Sequence, residues 1–413
     1  MKSDCIVLGA GIIGVCAAIH LARRGHDVTL VDRRPPGEET SFGNAGLIQR
    51  EGVHPRAFPR NLSKLLVYGF NQRADMVYHL SALPGLVPFL ARYWWYSHPR
   101  RYQEIVRAYA PLIGASITEH NDLIAAADAA SLVVKEGWYQ LLRSPKARDE
   151  SFAEADLLAK EFGVGRENLD GRQMAAREPR LTVDLAGAVH WTDPWTINDP
   201  HALVEAYFRY FQQLGGRFKH GDATTLTPSG SGWRVDTEDG PVEAAQALVA
   251  LGPWSGPFTR RLGYRLPLAV KRGYHMQYRQ PEGEPLRHWI LDWEPGYLLA
   301  PMARGIRLTT GVEFAPLDTP ATPVQIERAE TVARQLFPIG QRIDPKPWLG
   351  SRPATADMLP IIGPAPRHPA LWFAFGHAHH GLTLGPATGR LIAELMGGET
   401  PFINATPFRA DRF

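Results

Sequence analysis

Along the chain the spacing of apolar residues switches between strand and helix periods, and each switch predicts an element. Residues 3–7 (SDCIV) are a short strand-type run, and residues 15–24 follow with helical spacing. Gly25-His26 breaks the pattern, and Asp27 to Val31 (DVTLV) is a second buried strand that ends on Asp32. A mainly helical stretch is expected over 60–130, strand-type residues over 132–142, and a helix from there to about 162. A short helix at 173–178 precedes Pro179, a strand covers 187–191, and a helix over 201–214 has Asn198 or Asp199 as its cap. Residues 218–226, 233–237 and 242–244 form a strand meander, and 247–251 is another fully apolar strand that stops at Gly252. Strand signals at 274–278, 288–292, 297–301 and 306–313 predict an antiparallel sheet distinct from the parallel one. An amphipathic helix at 323–336 comes next, then strands at 348–353, 359–363 and 371–375 and a last helix from Pro386 to Met396.

The first strand-to-helix junction carries the first chemistry. Gly9, Gly11 and Gly14 form G-x-G-x-x-G between a strand and a helix, and Asp32 closes the following strand. The first glycine permits the tight turn, the second lets a pyrophosphate reach the backbone, and the third lets helix and strand pack closely. The helix N-terminus offers free N–H groups and a positive dipole end to phosphate. Asp32 is placed to accept hydrogen bonds from an adenosine ribose. Together these features predict a dinucleotide site in preference to a glycine-rich turn of purely structural origin. Residues 40–48 (TSFGNAGLI) are small and amide-rich, which suits a loop following a ligand and equally suits an ordinary loop.

Composition narrows the class without changing the picture. With 413 residues, 44% hydrophobic and 21% charged, the chain has core enough for two domains or one composite one. A net charge of +3 without runs of like sign gives no support for nucleic-acid binding. Cys5 and Cys16 are too few for a disulfide framework and lack zinc-ligand spacing, so they read as small buried hydrophobes. The apolar stretch 5–19 is shorter than the ~20 residues of a membrane span and leads straight into a strand, so it reads as mature structure. A cytoplasmic protein is expected. Residues 86–101, aromatic and then basic, allow a peripheral contact with the inner face of the membrane or a partner protein, although capping a core is the commoner use of such a stretch.

The later motifs sharpen this. VLGAGIIG with Asp32, ETSFGNAG (39–46), VALGPWS (249–255), GYLLAP (296–301), GSRPATADMLPIIG (350–363) and GHAHHGLTLGPATGRLIAEL (376–395) follow one another over nearly the whole chain. In these the chain resembles the D-amino acid oxidase / glycine oxidase family of flavoproteins, and within it the bacterial D-amino acid dehydrogenases; residues 60–130 match only loosely. The resemblance implies an α/β (α+β overall) protein with a Rossmann-like FAD-binding domain in three pieces (1–75, 196–262, 341–413). A mainly antiparallel substrate domain takes the two pieces between (76–195, 263–340).

It also implies FAD, held non-covalently because both cysteines lie in the opening unit. Gly9, Gly11, Ile12, Ile13, Gly14, Asp32 and Arg33 would hold the ADP half, with Ala223 or Thr224 at the adenine side. Ser41, Asn44, Ala45, Gly46 and Leu47 would follow the flavin, and Gly252 would close on it. Gly376, His377, His380, Gly381, Leu382 and Thr383 would present N–H groups and a helix N-terminus to the flavin C(2) carbonyl. Arg352 would clamp the substrate carboxylate, Tyr297 would meet the same carboxylate, and the backbone carbonyl of His379 would receive the amine. Tyr274 and His275 are weaker candidates. His377, His379 and His380 have no carboxylate or cysteine company, so no metal is expected.

The implied reaction is hydride transfer from Cα of a D-amino acid, or of a cyclic D-imino acid such as a D-proline derivative, to flavin N(5). The imine is then hydrolysed, and no general base is assigned. Besides the small-molecule substrate, an electron acceptor is needed: a quinone, a carrier protein or oxygen. The alternatives are an oxidase of glycine, sarcosine or another small amine, and a non-catalytic FAD-binding protein.

Overall fold

The computed structural model describes residues 4–61, 65, 69–71 and 75–413. The strand start at Ser3 and part of the helical stretch expected over 60–130 lie outside the described residues. Helices are α1 (Ile12–Arg23), α2 (Leu83–Tyr96), α3 (Pro99–Gly114), α4 (Ser116–Ala126), α5 (Pro145–Phe162), α6 (Gly171–Arg177), α7 (Pro200–Gln213), α8 (Ser255–Arg261), α9 (Val324–Leu336) and α10 (Gly381–Gly397).

The first sheet contains β1 (Asp4–Leu8), β2 (Asp27–Asp32), β10 (Arg217–His220), β14 (Gln246–Val249), β21 (Ile361–Pro364) and β22 (Leu371–Phe375). Its order is β10-β2-β1-β14-β22-β21, parallel throughout except for the edge strand β21. Central β1 is buried on both faces, which is why CIVL is apolar without alternation. Cys5, Val7, Leu30 and Leu248 pack toward α1 and α10, while Ile6, Leu8, Val31 and Val249 pack toward Trp233 and Val235. Those two residues belong to a meander of β11 (Thr227–Ser229), β12 (Gly232–Thr237) and β13 (Gly240–Ala244).

The first and last helices cross closely because glycine lets them. A Cβ on Gly389 would stand 2.6 Å from the Cys16 backbone, and one on Gly385 would stand 2.7 Å from Ile12 Cγ1. Helix α10 starts at Gly381, one turn before the Pro386 start that the sequence predicts. Proline deprives the Leu382 carbonyl of its helical donor. The buried His120 takes that place, its Nε2 lying 2.8 Å from Leu382 O, while its Nδ1 lies 3.0 Å from the Tyr207 hydroxyl. Burial pushes the His120 pKa down to about 4, so the ring is neutral at physiological pH, with Nε2–H donating and Nδ1 accepting.

The second sheet is mixed and mainly antiparallel. Its strands are β4 (Met76–Tyr78), β6 (Trp138–Leu142), β7 (Arg166–Asp170), β8 (Gly187–Trp191), β15 (Leu268–Tyr278), β16 (Ile290–Asp292), β17 (Tyr297–Met302), β18 (Gly305–Thr309), β19 (Val312–Phe314) and β20 (Trp348–Thr355). Trp348–Thr355 pairs with β15, so it belongs to this sheet and not to the third nucleotide-domain segment expected from residue 341. A small sheet of β3 (Leu47–Ile48), β5 (Val133–Val134) and β9 (Trp195–Ile197) fastens the loop after residue 39 to the rest.

Strand alternation gives β15 two different faces. Tyr274, Met276 and Tyr278 pack on Ile326, Ala329 and Ala333 of α9. On that same face Arg272 and Glu313, both inaccessible to solvent, form an ion pair at 2.9 Å, and Arg272 also donates to the Thr319 and Pro320 carbonyls at 2.6 and 3.0 Å. Lys271, Gly273 and His275 point the other way, and that second face carries the candidate site.

The buried pair gives a stability prediction. Arg272→Met should lower the unfolding free energy by about 3–5 kcal/mol, because it leaves the Glu313 carboxylate buried without its partner. Adding Glu313→Leu should recover most of the loss. Urea denaturation of the four proteins checks this, and a loss under about 1 kcal/mol for the single change would mean that the pair is solvated.

Candidate active site

The C-terminal ends of β1, β2 and β14 meet at a glycine turn. Gly9 has φ +105°, and a Cβ there would lie 2.4 Å from Ala250 O; a Cβ on Gly14 would lie 1.7 Å from Gly9 O. Gly11 has only Ser41 Oγ within reach of its Cβ position, and nothing lies within 4 Å of that position at Gly252 or Gly381. Gly252 and Gly381 therefore face free space and Gly11 only a hydroxyl, while Gly9 and Gly14 lock the turn. The Ile12 N–H, at the N-terminus of α1, donates to Ser41 Oγ at 3.1 Å, an oxygen standing where a phosphate oxygen could. Asp32 accepts from the Ala10 and Arg34 N–H groups at 2.7 and 3.1 Å, which fixes its carboxylate at the end of β2.

The outer end of this groove is equally defined. Arg33 lies over the Trp254 ring at 4.4 Å. The Gly221 N–H donates to Asp32 O at 3.0 Å and brings the turn holding Ala223 and Thr224 beside Asp32. A cleft of about 360 Å³, lined in part by Arg33, Arg34, Thr40, Trp254 and Ser351, opens here. The loop from Glu39 onward crosses to the second sheet. Asn44 Oδ1 accepts from the Gly46 N–H at 2.8 Å, the Trp289 indole donates to Ala45 O at 2.7 Å, and Arg307 donates to Asn44 O. Leu47 pairs with Thr196. The Thr383 hydroxyl donates to Leu47 O at 3.2 Å and accepts from the Gln49 N–H at 3.1 Å, so it ties α10 to this loop. The residues expected to hold a dinucleotide lie around the ends of β1 and β2, the loop from Glu39 and the start of α10.

The turn before α10 carries three histidines, and all are neutral. Gly376 has φ +90°. His377 is hydrogen-bonded to Thr388 at 3.0 Å and His380 to the Tyr109 hydroxyl at 2.8 Å, and burial pushes both pKa values down to about 3. Burial also drives His379 far down, with His380, Arg56, Arg352 and Lys271 adding positive charge nearby. The charge in this chamber therefore comes from arginine and lysine.

Arg352 lies on β20 with its guanidinium flat against β15. Its Nη2 is 2.5 Å from where a Gly273 Cβ would stand, so only glycine leaves it this position. Among the described residues its one hydrogen bond runs from Nη1 to Gly311 O at 3.0 Å, and no carboxylate pairs with it. Burial pushes its pKa down to about 10, which leaves it charged at neutral pH. The loop side of the chamber is closed by Gly43, against which His275 and Trp348 stack at 4.9 Å between ring centroids.

Two expectations need correction. Leu298, Thr309, His275 and Trp348 lie in one cross-strand row, so the neighbouring Tyr297 points to the opposite face from Arg352. The Tyr297 hydroxyl donates to Asp292 at 2.7 Å, and Asp292 is held in turn by Arg143 at 2.6 Å. Tyr274 is on that far face as well, donating to Glu313 at 2.9 Å. Neither tyrosine reaches a carboxylate on Arg352.

Sequence reasoning missed four residues near the chamber: Lys271, Arg56, Tyr93 and Glu51. Lys271 could have been found, since strand alternation puts it on the His275 face. Glu51 is buried; one carboxylate oxygen accepts from Gln49 and Trp138 at 2.9 and 3.1 Å, and the other has no partner among the described residues. Burial pushes its pKa up to about 7, against the pull of those hydrogen bonds.

Comparison with known proteins agrees with this geometry. Residues 4–395 match the DAO family of FAD dependent oxidoreductases. The chain is 32% identical over 421 residues to a D-amino-acid oxidase of Bradyrhizobium diazoefficiens, covering 98% of each chain. It is 30% identical over 419 residues to a D-amino acid dehydrogenase of Cereibacter sphaeroides, covering 99% of this chain and 95% of the relative. The glycine oxidase of Geobacillus kaustophilus superposes with a TM-score of 0.75 at 21% identity, over 100% of this chain and 99% of the other.

Glu51 makes the pH dependence testable. Its folded pKa, about 7, lies above the ordinary 4.5, so between those values the native state holds a proton that the unfolded chain has lost. The resulting stability is complete below the unfolded value and fades as pH rises through the folded one, by on the order of 3 kcal/mol. Glu51→Gln should flatten the fall in stability between pH 5 and 8. Urea midpoints across that range check it, and equal slopes for the two proteins would return Glu51 to an ordinary pKa.

Proposed function

The chain belongs to the DAO family of FAD-dependent oxidoreductases, and we propose that it catalyses the oxidative deamination of D-amino acids. The observation that carries the reading is Arg352: a charged guanidinium with, among the described residues, one backbone partner and no carboxylate, beside the face of β15 that carries Lys271 and His275. Such a group binds a planar anion through two parallel N–H bonds, and an amino acid supplies one. The D-amino-acid oxidase and D-amino acid dehydrogenase relatives support the choice of substrate.

Residues of this chain divide the work. Gly9, Gly11, Gly14 and Asp32 would hold the ADP part of FAD, the 39–47 loop would follow the flavin, and the N–H groups at the start of α10 would face its pyrimidine end. Bound FAD supplies a two-electron acceptor for the Cα–H bond. The link is non-covalent, since both thiols are buried in the nucleotide-binding core. Arg352 fixes the carboxylate and hence Cα; His379 contributes its backbone carbonyl for the amine; the neutral imidazoles add no competing charge.

The electrons must leave to an acceptor, and the surface favours one at a membrane. No helix among the described residues is long and apolar enough to cross a bilayer. In the 86–101 segment Phe89 and Tyr93 are buried, as core packing demands, whereas Val87, Trp94 and Trp95 are exposed together with Leu80. Arg60 lies over Trp94 and Arg101 over Trp95, each at 3.8 Å. From residue 52 to 103 the sequence has seven Lys and Arg and a single acidic residue, Asp75. An apolar, aromatic helix face with a basic surround suits an anionic lipid surface.

Arg352→Lys keeps the charge but loses the planar fork, so it should retain FAD while slowing anaerobic flavin reduction; a displacement of ~1 Å can cost about a hundredfold in rate. Arg352→Ala should be worse. Reduction at the wild-type rate with unchanged substrate affinity would remove Arg352 from the site. Separately, the protein should co-sediment with vesicles containing anionic lipid and not with neutral ones, and Trp94→Ser/Trp95→Ser should release it; equal sedimentation of mutant and wild type would discard the membrane reading.

A further inference from the structure

The chamber holds more positive charge than one carboxylate needs. Lys271 and Arg352 are direct cross-strand partners on β15 and β20, so their side chains leave the same face. Directly opposite residues have Cβ atoms about 5 Å apart, and like charges placed this way repel. A fold accepts that arrangement at a ligand site, where an anion removes the cost. Their heads then diverge. The Arg352 guanidinium bends over Gly273 toward Gly311. The Lys271 ammonium goes the other way, 3.2 Å from the Tyr93 hydroxyl and 4.3 Å from the centre of that ring.

No carboxylate of the chain answers either cation among the described residues. Lys271 has three N–H donors, and Tyr93 accounts for one of them. The Tyr93 hydroxyl is itself directed at the Arg56 carbonyl, so it stays as an acceptor for lysine and is held in place. At the rim Arg56 is exposed and lies 5.6 Å from the Trp293 ring, with no ion pair among the described residues. Lys271 pairs across the strands with Arg352 and reaches Tyr93, whose hydroxyl meets the Arg56 carbonyl, so the three cationic residues come from one neighbourhood, and each adds positive charge at His379.

We infer that Lys271 is a second anion subsite, and that the preferred substrates are D-amino acids with an acidic side chain. This rests on the D-amino acid reading given above. Arg352 takes the α-carboxylate by its fork; Lys271, held by Tyr93, takes the side-chain carboxylate; Arg56 draws the dianion to the mouth.

The test compares isosteric pairs on the FAD-loaded enzyme. Anaerobic flavin reduction is measured with D-glutamate against D-glutamine and D-aspartate against D-asparagine, for wild type, Lys271→Met and Lys271→Gln. Wild type should favour at least one acid over its amide by about tenfold or more in kred/Kd, the effect of one charged hydrogen bond partly shielded from water. Both variants should bring that ratio close to one. A second readout needs no turnover: glutarate should raise the Tm of wild type more than butyrate does, and neither variant should show the difference. Amides reduced as well as acids by wild type would overturn the inference while leaving the D-amino acid reading intact. So would an equal fall for acid and amide in the variants, which would place Lys271 on the α-carboxylate. If no D-amino acid reduces the flavin, the functional reading itself fails.

Discussion

The close crossing of the first and last helices is the contact on which the arrangement depends. Gly385 and Gly389 let α10 reach the backbone of α1 at Ile12 and Cys16, and no side chain could be inserted there without parting them. This contact joins residues near the two ends of the chain and brings both helices to one parallel sheet. One helix begins at the G-x-G-x-x-G turn and the other at the histidine turn, so two positive helix ends serve one groove. The 39–47 loop is fastened to both, through Ser41 to α1 and through Leu47 to Thr383. The loop then reaches the second sheet by way of Ala45 and Trp289.

The electrostatics of the chamber follow from what burial does to each group type. Imidazoles lose their charge there, the Arg352 guanidinium keeps its own, and the Glu51 carboxyl is pushed up to titrate at about 7. What is left is a site with an excess of basic groups and one carboxyl that titrates close to neutral pH. The opposite face of the same strand shows the contrast: Arg272 is matched by Glu313, and Tyr297 and Asp292 by Arg143. Balanced charge marks the structural face of β15, and unbalanced charge marks the functional one.

Much of this was legible in the sequence because it is local. The glycine spacing, Asp32 and the buried strands each depend on neighbours within about thirty residues. What was not legible depends on partners far along the chain. Pro386 reads as a helix start, yet the helix begins at Gly381 because His120 supplies the hydrogen bond that proline withholds. Tyr297 reads as a substrate ligand from its motif, but the register through β18 and β15 turns it to the far face. Trp348–Thr355 joins the second sheet by pairing with β15, a partner about eighty residues earlier. Lys271, Tyr93 and Arg56 come from three separated stretches, and only their convergence makes a site.

The central claim is that a cationic chamber beside FAD selects its substrate by the carboxylate. Anaerobic mixing of the FAD-loaded protein with triads of D-amino acid, L-enantiomer and the amine lacking the carboxylate measures this most directly, because no electron acceptor is involved. The account predicts that the D-amino acid bleaches the flavin, while the L-enantiomer and the decarboxylated amine leave it oxidised. Reduction by the amine at a rate comparable to the amino acid would contradict it.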